Sequence, residues 1–160
     1  MSDHSGERTG ASRWRPVEAV RVVAIGIARR DDRMLAVEVL DDDGALSGWR
    51  PPGGGVNFME LAADALKREI REELGCDVRI EGAPEIFENL YMHHEAKGHE
   101  IVFAYEISLL DGTIHSRDRF VIKETEGSAH FAEWVEIDRF LTGRDRLYPA
   151  GLAERLLRAP

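Results

Sequence analysis

Short runs of apolar and β-branched residues, separated by polar turns, cover most of the chain and predict a protein rich in β-strands. The first two runs span residues 19–28 and 34–40. They are joined by the polar turn 31–33, so they are predicted to form a hairpin. Further strands are predicted at residues 78–80, 86–91, 99–109 and 129–137, with a turn at 95–98.

One segment in the middle of the chain has helical rather than strand periodicity. Its apolar positions recur every three or four residues, and they are Ala62, Ala63, Leu66, Ile70 and Leu74. Gly75 follows the last of them, at the place where helices commonly end in the left-handed conformation. Shorter helices are predicted at residues 138–141 and 149–158.

This order of elements predicts an α+β fold in which a mixed β-sheet lies between helices. The polar residues 1–16 are predicted to be a flexible N-terminal segment, and residues 17–160 to form one domain. A chain of 160 residues is long enough to bury one proper core.

Three carboxylates share a second face of the predicted helix. Glu69, Glu72 and Glu73 stand at positions i, i+3 and i+4, so their side chains are neighbours on a helix. Like charges at these spacings repel, and a cation between them would turn that repulsion into binding. Hard oxygen ligands suit Mg²⁺, Mn²⁺ or Ca²⁺ better than zinc. Residues 49–55 are expected to form a tight, backbone-exposed loop whose glycines let main-chain groups approach a metal or a phosphate.

The segment from Gly54 to Cys76 resembles the Nudix box, Gly-x5-Glu-x7-Arg-Glu-U-x-Glu-Glu-x-Gly-U, in which U is a bulky apolar residue. Its specified positions are Gly54, Glu60, Arg68, Glu69, Ile70, Glu72, Glu73, Gly75 and Cys76. Many positions at fixed spacings make this a far stronger signal than a short motif. The resemblance identifies the chain as a member of the Nudix hydrolase family, for which an α+β fold is implied.

The resemblance implies a pyrophosphohydrolase that cleaves a diphosphate linkage with the help of Mg²⁺ or Mn²⁺. The metal ligands that it implies are Glu69, Glu72, Glu73 and the main-chain carbonyl of Gly53. Arg68 and Glu60 are then expected to support the site, with Arg68 pairing with Glu60 to hold the carboxylates in place.

The resemblance implies that the general base is Glu69 or a glutamate outside the motif. The candidates outside it are Glu95, Glu100, Glu124 and Glu126. Glu100 is preferred because it lies in the apolar strand 99–109, where a carboxylate is out of place unless it has a partner or a metal. The predicted catalytic residues are therefore Glu69, Glu73, Arg68 and Glu100.

The histidines show no zinc-binding motif. His93 and His94 are adjacent, and adjacent side chains in a strand are expected to point to opposite faces. Surface or substrate-contacting roles are expected for them and for His99. A triad built on Ser128 and His130 is not supported, because no nucleophile-elbow glycine pattern surrounds the serine.

Composition and charge limit the kinds of binding partner and the cellular location that are expected. The formal net charge of −9 argues against non-specific nucleic-acid binding, which depends on basic surface. A single cysteine excludes an intrachain disulfide and suits a reducing cytoplasm. No apolar run approaches the roughly 20 residues of a membrane span, and the N-terminus shows no signal-peptide core. A cytoplasmic protein without nucleic-acid or membrane partners is expected.

The expected substrate is a small nucleotide, or a nucleoside diphosphate linked to another group. Tyr91 follows the motif at about the offset of a tyrosine that marks Nudix enzymes acting on dinucleoside polyphosphates, and this class is an alternative. A non-catalytic nucleotide sensor is a second alternative, although such proteins usually lose glutamates of the motif. Isomerase chemistry on an isoprenoid diphosphate needs a catalytic cysteine, and the sole cysteine lies inside the motif. The resemblance also allows a homodimer.

Overall fold

A computed structural model of the chain describes residues 14–123 and 129–158, and this part contains nine β-strands and four α-helices. The strands are β1 (Val20–Arg30), β2 (Arg33–Leu40), β3 (Leu46–Arg50), β4 (Gly53–Gly55), β5 (Val78–Ile80), β6 (Glu85–His93), β7 (Ala96–Leu109), β8 (Arg119–Lys123) and β9 (Ala129–Glu136). The helices are α1 (Ala62–Leu74), α2 (Gly112–Ser116), α3 (Ile137–Leu141) and α4 (Leu152–Leu156).

The strands form one mixed sheet with β1 and β7 at its centre. These two strands run parallel over residues 20–28 and 99–107. β7 pairs with β5 and β6 along its other edge, and β1 pairs with β4 and β2. β2 also pairs with β3 and β9, and β9 pairs with β8. Because β1 and β7 are the two longest described strands, they fix the position of every element around the motif.

Helices cover both faces of this sheet. The side chains that α1 buries against one face are Ala65, Leu66 and Ile70. The opposite face is closed by Phe140 of α3 and by Leu152 and Leu156 of α4. The predicted α+β fold, a mixed sheet between helices, is confirmed.

The segment before α1 differs from the exposed loop that the sequence predicts. Trp49 and Pro52 are buried, and Gly53–Gly55 pairs with β1 as the strand β4. The N–H of Gly26 also donates to the carbonyl of Pro52 at 2.9 Å. The glycines that were expected to leave the main chain open instead let it lie directly against β1.

Three further short elements, β3, α2 and β8, were not predicted. α2 has five residues, too few for a helical period to show, and it begins where Asp111 accepts a hydrogen bond from the N–H of Thr113 at 2.9 Å. The turn between β6 and β7 is also tighter than expected, because residues 96–98 already belong to β7.

The predicted N-terminal segment lies mostly outside the described residues. Of its last residues, Arg15 pairs with Asp42 at 2.6 Å. None of the helices in the described ranges is both long enough and apolar enough to cross a bilayer.

Truncating Leu66 to alanine (Leu66→Ala) is expected to lower the free energy of unfolding by about 2–5 kcal/mol, because this side chain is fully buried and its loss leaves a cavity. Leu61→Ala is the control, since Leu61 is 73% exposed and its loss is expected to cost less than about 0.5 kcal/mol. Urea unfolding followed by circular dichroism measures both. Similar losses in the two variants would contradict the packing of α1 described above.

Candidate active site

The strand β4 sets the main chain of the glycines against the glutamates of α1. Gly53 has a φ of 144°, which residues with a side chain rarely adopt, and a Cβ there would collide with the carbonyl oxygen of Ala24. The N–H of Gly53 donates to Oε2 of Glu73 at 3.3 Å. Glycine is therefore required at position 53, where the main chain is fixed beside a carboxylate.

Gly54 makes room for the carboxylate of Glu69. A Cβ on Gly54 would lie 2.5 Å from Cδ of Glu69 and 2.7 Å from both carboxylate oxygens. Any side chain at position 54 would displace this group. The side chains of Glu69 and Glu73 are only 16% and 8% exposed, so both carboxylates need partners to offset their lost hydration.

Arg68 is a partner of Glu69, and it also contacts Glu60 and Gly55. Its Nε and Nη2 donate to the two carboxylate oxygens of Glu60 at 2.8 and 3.0 Å. Nη2 also donates to the carbonyl of Gly55 at 2.9 Å, and Nη1 donates to Oε1 of Glu69 at 2.8 Å. One planar guanidinium thus joins the turn before α1, the strand β4 and a carboxylate of α1, a geometry that a lysine cannot reproduce.

The contact with Arg68 changes the acidity of Glu60. The Arg68 guanidinium, together with the N–H of Asn57 at 3.0 Å, lowers the pKa of Glu60 from 4.5 to about 2. The same contact raises the pKa of Arg68. Both groups therefore keep their charges over the whole pH range in which the protein is expected to act.

Glu72 and Gly53 complete the predicted metal-ligand set. Glu72 lies at the rim, half exposed, with Oε2 3.5 Å from Nη1 of Arg68. The carbonyl oxygen of Gly53 lies 3.5 Å from Nη1 of Arg50, and Nη2 of Arg50 lies 3.6 Å from Oε1 of Glu73. These donors are all oxygens, as a hard divalent cation requires, and the glycine at 54 leaves the space that Glu69 needs. The residues present therefore fit Mg²⁺ or Mn²⁺.

Glu100 lies on the other face of the sheet from α1. It stands in one row with Arg21 of β1 and Asn89 of β6, its partners in register on either side. Arg21 Nη1 lies 3.7 Å from Glu100 Oε1, and Asn89 Nδ2 donates to Oε2 at 3.3 Å. Val102 and Ala104, which alternate with Glu100 along β7, belong to the core beneath α3 and α4.

Tyr91 extends this row toward the end of β6. Its hydroxyl lies 3.4 Å from Oε1 of Glu100, and its ring covers Gly98, where any side chain would collide with it. Burial and the charge of Glu100 raise the pKa of Tyr91 to about 12, so the hydroxyl keeps its proton and donates to the carboxylate. We call Arg21, Asn89, Tyr91 and Glu100 the polar row.

The polar row reaches the motif through Arg21. Its Nη2 lies 3.7 Å from where a Cβ of Gly55 would be, and the carbonyl of Gly55 is held by Arg68. Of the other base candidates, Glu95 is exposed at the turn between β6 and β7. Glu124 and Glu126 lie outside the described residues.

Comparison with known proteins shows the family of the chain. A family model described as NUDIX domain matches residues 17–156. The chain belongs to the Nudix family. It is accordingly a hydrolase acting on phosphorus anhydrides.

The chain is also similar to individual proteins. The low-salt glycan biosynthesis protein Agl8 of Haloferax volcanii is 30% identical over 119 residues, which cover 71% of this chain and 76% of Agl8. The nucleoside triphosphatase NudI of Escherichia fergusonii is 43% identical over 56 residues, covering 34% of this chain and 40% of NudI. The solved structure of a NUDIX hydrolase from Nitrosomonas europaea matches 88% of this chain and 87% of its own with a TM-score of 0.58 at 18% identity, a likeness of fold.

Three polar residues of this Nudix protein escaped the sequence analysis. Arg50 stands between Gly53 and Glu73, and its only signal was a basic residue directly before the prolines and glycines. Arg21 and Asn89 were not recognised as site residues because each is a polar position in a run predicted to be an apolar strand. Pairing across three strands brings these two together with Glu100, and sequence spacing does not reveal such pairing.

The expectation that His93 and His94 point to opposite faces of a strand is wrong. β6 ends at His93, and His94 already belongs to the turn with a φ of 47°. The two rings lie 4.6 Å apart between their centroids. The alternation rule fails here because it holds only inside a strand.

The ion pair of Arg68 and Glu60 predicts a pH dependence of stability. Because folding lowers the pKa of Glu60 from 4.5 to about 2, ionised Glu60 stabilises the fold above pH 4.5, and this contribution is lost as the pH falls toward 2. The urea midpoint of wild type should exceed that of Glu60→Gln at neutral pH, and the difference should shrink on acidification. Glu154→Gln, at an exposed position of α4, is the control. A difference between wild type and Glu60→Gln that stays constant with pH would contradict this role.

Proposed function

We propose that this Nudix protein is a pyrophosphohydrolase that depends on Mg²⁺ or Mn²⁺ and cleaves a diphosphate linkage in a nucleotide, or in a nucleoside diphosphate linked to another group. The observation that carries the proposal is the close packing of Glu69 and Glu73 against the glycines of β4. In the described part of the chain, four carboxylates of this site are paired with two guanidinium groups, so negative charge is left in excess. The single cysteine is in keeping with a cytoplasmic location.

The proposed cation ligands are Glu69, Glu72, Glu73 and the carbonyl of Gly53. A divalent cation held there would supply positive charge to neutralise the diphosphate oxygens and would lower the pKa of a water toward neutral pH. The protein's part is to hold two of these carboxylates in place. Arg68 orients Glu69 through Nη1, and the N–H of Gly53 orients Glu73.

Glu69 is our first choice for the general base, because its carboxylate is already seated on Gly54 and held by Arg68 beside the other ligands. Glu100 is engaged with Arg21, Asn89 and Tyr91 on the opposite face. Its catalytic role stays a prediction. We propose that Glu100 holds the side chains of Arg21 and Tyr91 in position to contact the substrate.

The polar row offers the groups that a nucleoside or phosphate would contact. It combines a guanidinium, an amide and a phenol along one face, and Arg21 lies next to Gly55 of the motif. A phosphate bound near the glutamates would therefore lie within reach of Arg21. Hydrolysis of a dinucleoside polyphosphate is the second candidate, favoured by the half-buried Tyr91. A nucleoside triphosphate is added to the test because NudI is named for that activity.

A substrate panel tests the proposal, with release of phosphate measured after coupling to a phosphatase. The panel contains nucleoside triphosphates, oxidised dGTP, ADP-ribose, dinucleoside polyphosphates, nucleotide sugars and NADH, each with Mg²⁺, with Mn²⁺ and with EDTA. We expect one class to exceed the others in kcat/KM and to be inactive with EDTA. Full turnover in EDTA would contradict the proposed dependence on a divalent cation.

Glu69→Gln and Glu73→Gln are expected to lower kcat by at least about a hundredfold on the best substrate, because each removes the charge of a proposed cation ligand. The fold should survive, since neither residue is part of the apolar core, and thermal unfolding checks this. Glu88→Gln, an exposed position of β6, is the matched control and should retain kcat. Near-native kcat in both motif variants would show that the assignment is wrong.

A further inference from the structure

The turn between β6 and β7 places two imidazoles side by side. His94 and Glu95 are its central residues, with φ values of 47° and 70°, the sign that a type I′ hairpin turn requires at both positions. Neither is glycine, and side-chain-bearing residues reach this region at a cost of about 1–3 kcal/mol, which is found most often at functional positions. The turn carries the His94 ring to within 4.6 Å of the His93 ring, at an interplanar angle of 79°.

Asp42 comes to the same place from the loop between β2 and β3. Its Oδ2 lies 3.7 Å from Nε2 of His94. One ligand atom from each of Asp42, His93 and His94 lies within 4.8 Å of the other two. In the ranges that the structure describes, no other three histidine, cysteine or acidic side chains converge in this way. None of the three belongs to the Nudix motif.

Two imidazoles and a carboxylate are a donor set for borderline transition cations, which Mg²⁺ does not favour. With metal–ligand bonds of about 2.0–2.2 Å, ligand atoms around a tetrahedral ion lie about 3.3 Å apart. The side chains of Asp42 and His94 are partly exposed, so small rotations suffice to close the remaining gap.

Arg15 holds the carboxylate that such a cation would need. Its Nη1 and Nη2 donate to Oδ1 and Oδ2 of Asp42 at 3.1 and 2.6 Å. Oδ2 is also the oxygen that faces His94. The neighbouring Trp14 ring lies 5.5 Å from the His93 ring, so the last residues before the domain cover this cluster. A guanidinium and a bound cation would compete for the same oxygen.

We propose that Asp42, His93 and His94 form a second cation site, separate from the glutamates of α1, that takes a transition metal ion of the Zn²⁺ class in exchange for Arg15. Three protein ligands leave a fourth position for water. Binding frees the Arg15 guanidinium from Asp42 and changes the surroundings of Trp14. The contacts of Trp14 and Arg15 therefore depend on whether a metal is bound at the turn between β6 and β7.

The test uses the tag-free full chain with Mg²⁺ in excess, so that the glutamates of α1 are occupied. Titration with Zn²⁺ is followed by calorimetry, and titration with Co²⁺ is followed by its visible absorption and by tryptophan fluorescence. We expect one equivalent to bind, with tetrahedral Co²⁺ absorption and a fluorescence change that disappears in Trp14→Phe.

Matched variants assign the ligands. His93→Ala, Asp42→Asn and His94→Asn, in which asparagine tolerates the left-handed turn, should each weaken Zn²⁺ binding by at least about tenfold, the loss seen even when a group that only supports a ligand is removed. His99→Ala is the control on β7 and should bind as wild type does. Arg15→Gln should tighten binding by about two- to fivefold, the value of an exposed ion pair.

Two results would overturn the site. One is Zn²⁺ binding that His93→Ala and His94→Asn leave unchanged, and the other is no binding at all under these conditions. Affinity in Arg15→Gln equal to that of wild type would overturn the exchange with Arg15. All readouts are binding measurements, so they do not depend on which substrate the enzyme hydrolyses.

Discussion

The contact of Arg68 with three groups is the interaction on which the active site depends. Its guanidinium reaches Glu60 before α1, the carbonyl of Gly55 in β4 and the carboxylate of Glu69 within α1. Three carboxylates on one helical face repel one another by about 0.2–0.5 kcal/mol per pair. The buried side chains of α1 are worth several kcal/mol, so the helix forms despite this repulsion, and Arg68 decides where the carboxylates point.

Gly53 and Gly54 leave space for these carboxylates because glycine has no side chain. Gly53 adopts a φ of 144° against β1, and Gly54 leaves the volume that Glu69 fills. The pairing of β4 with β1 is thus part of the site, because it sets the distance between the main chain and the helix. The same strand separates the two faces of the site. The motif glutamates lie on the side of α1, and the polar row lies on the side of α3 and α4.

The helix, its end at Gly75 and most strands could be predicted because each follows a local period of apolar residues. The pair of Arg68 with Glu60 was expected from the resemblance to the Nudix motif. The strand pairing of residues 53–55 was not, since a glycine run carries no side-chain period. Nor was the row of Arg21, Asn89 and Glu100, which depends on the register of three strands. His94 departs from the alternation of a strand because its own backbone is left-handed and already belongs to the turn.

The most direct test of the account is Mn²⁺ binding by the glutamates of α1, measured by electron paramagnetic resonance without any substrate. It is best done with His93→Ala and His94→Asn already in place, so that the hairpin tip contributes no ligands. We predict that this protein binds Mn²⁺ and that adding Glu73→Gln weakens the binding by more than about tenfold. Equal Mn²⁺ affinity with and without Glu73 would contradict it.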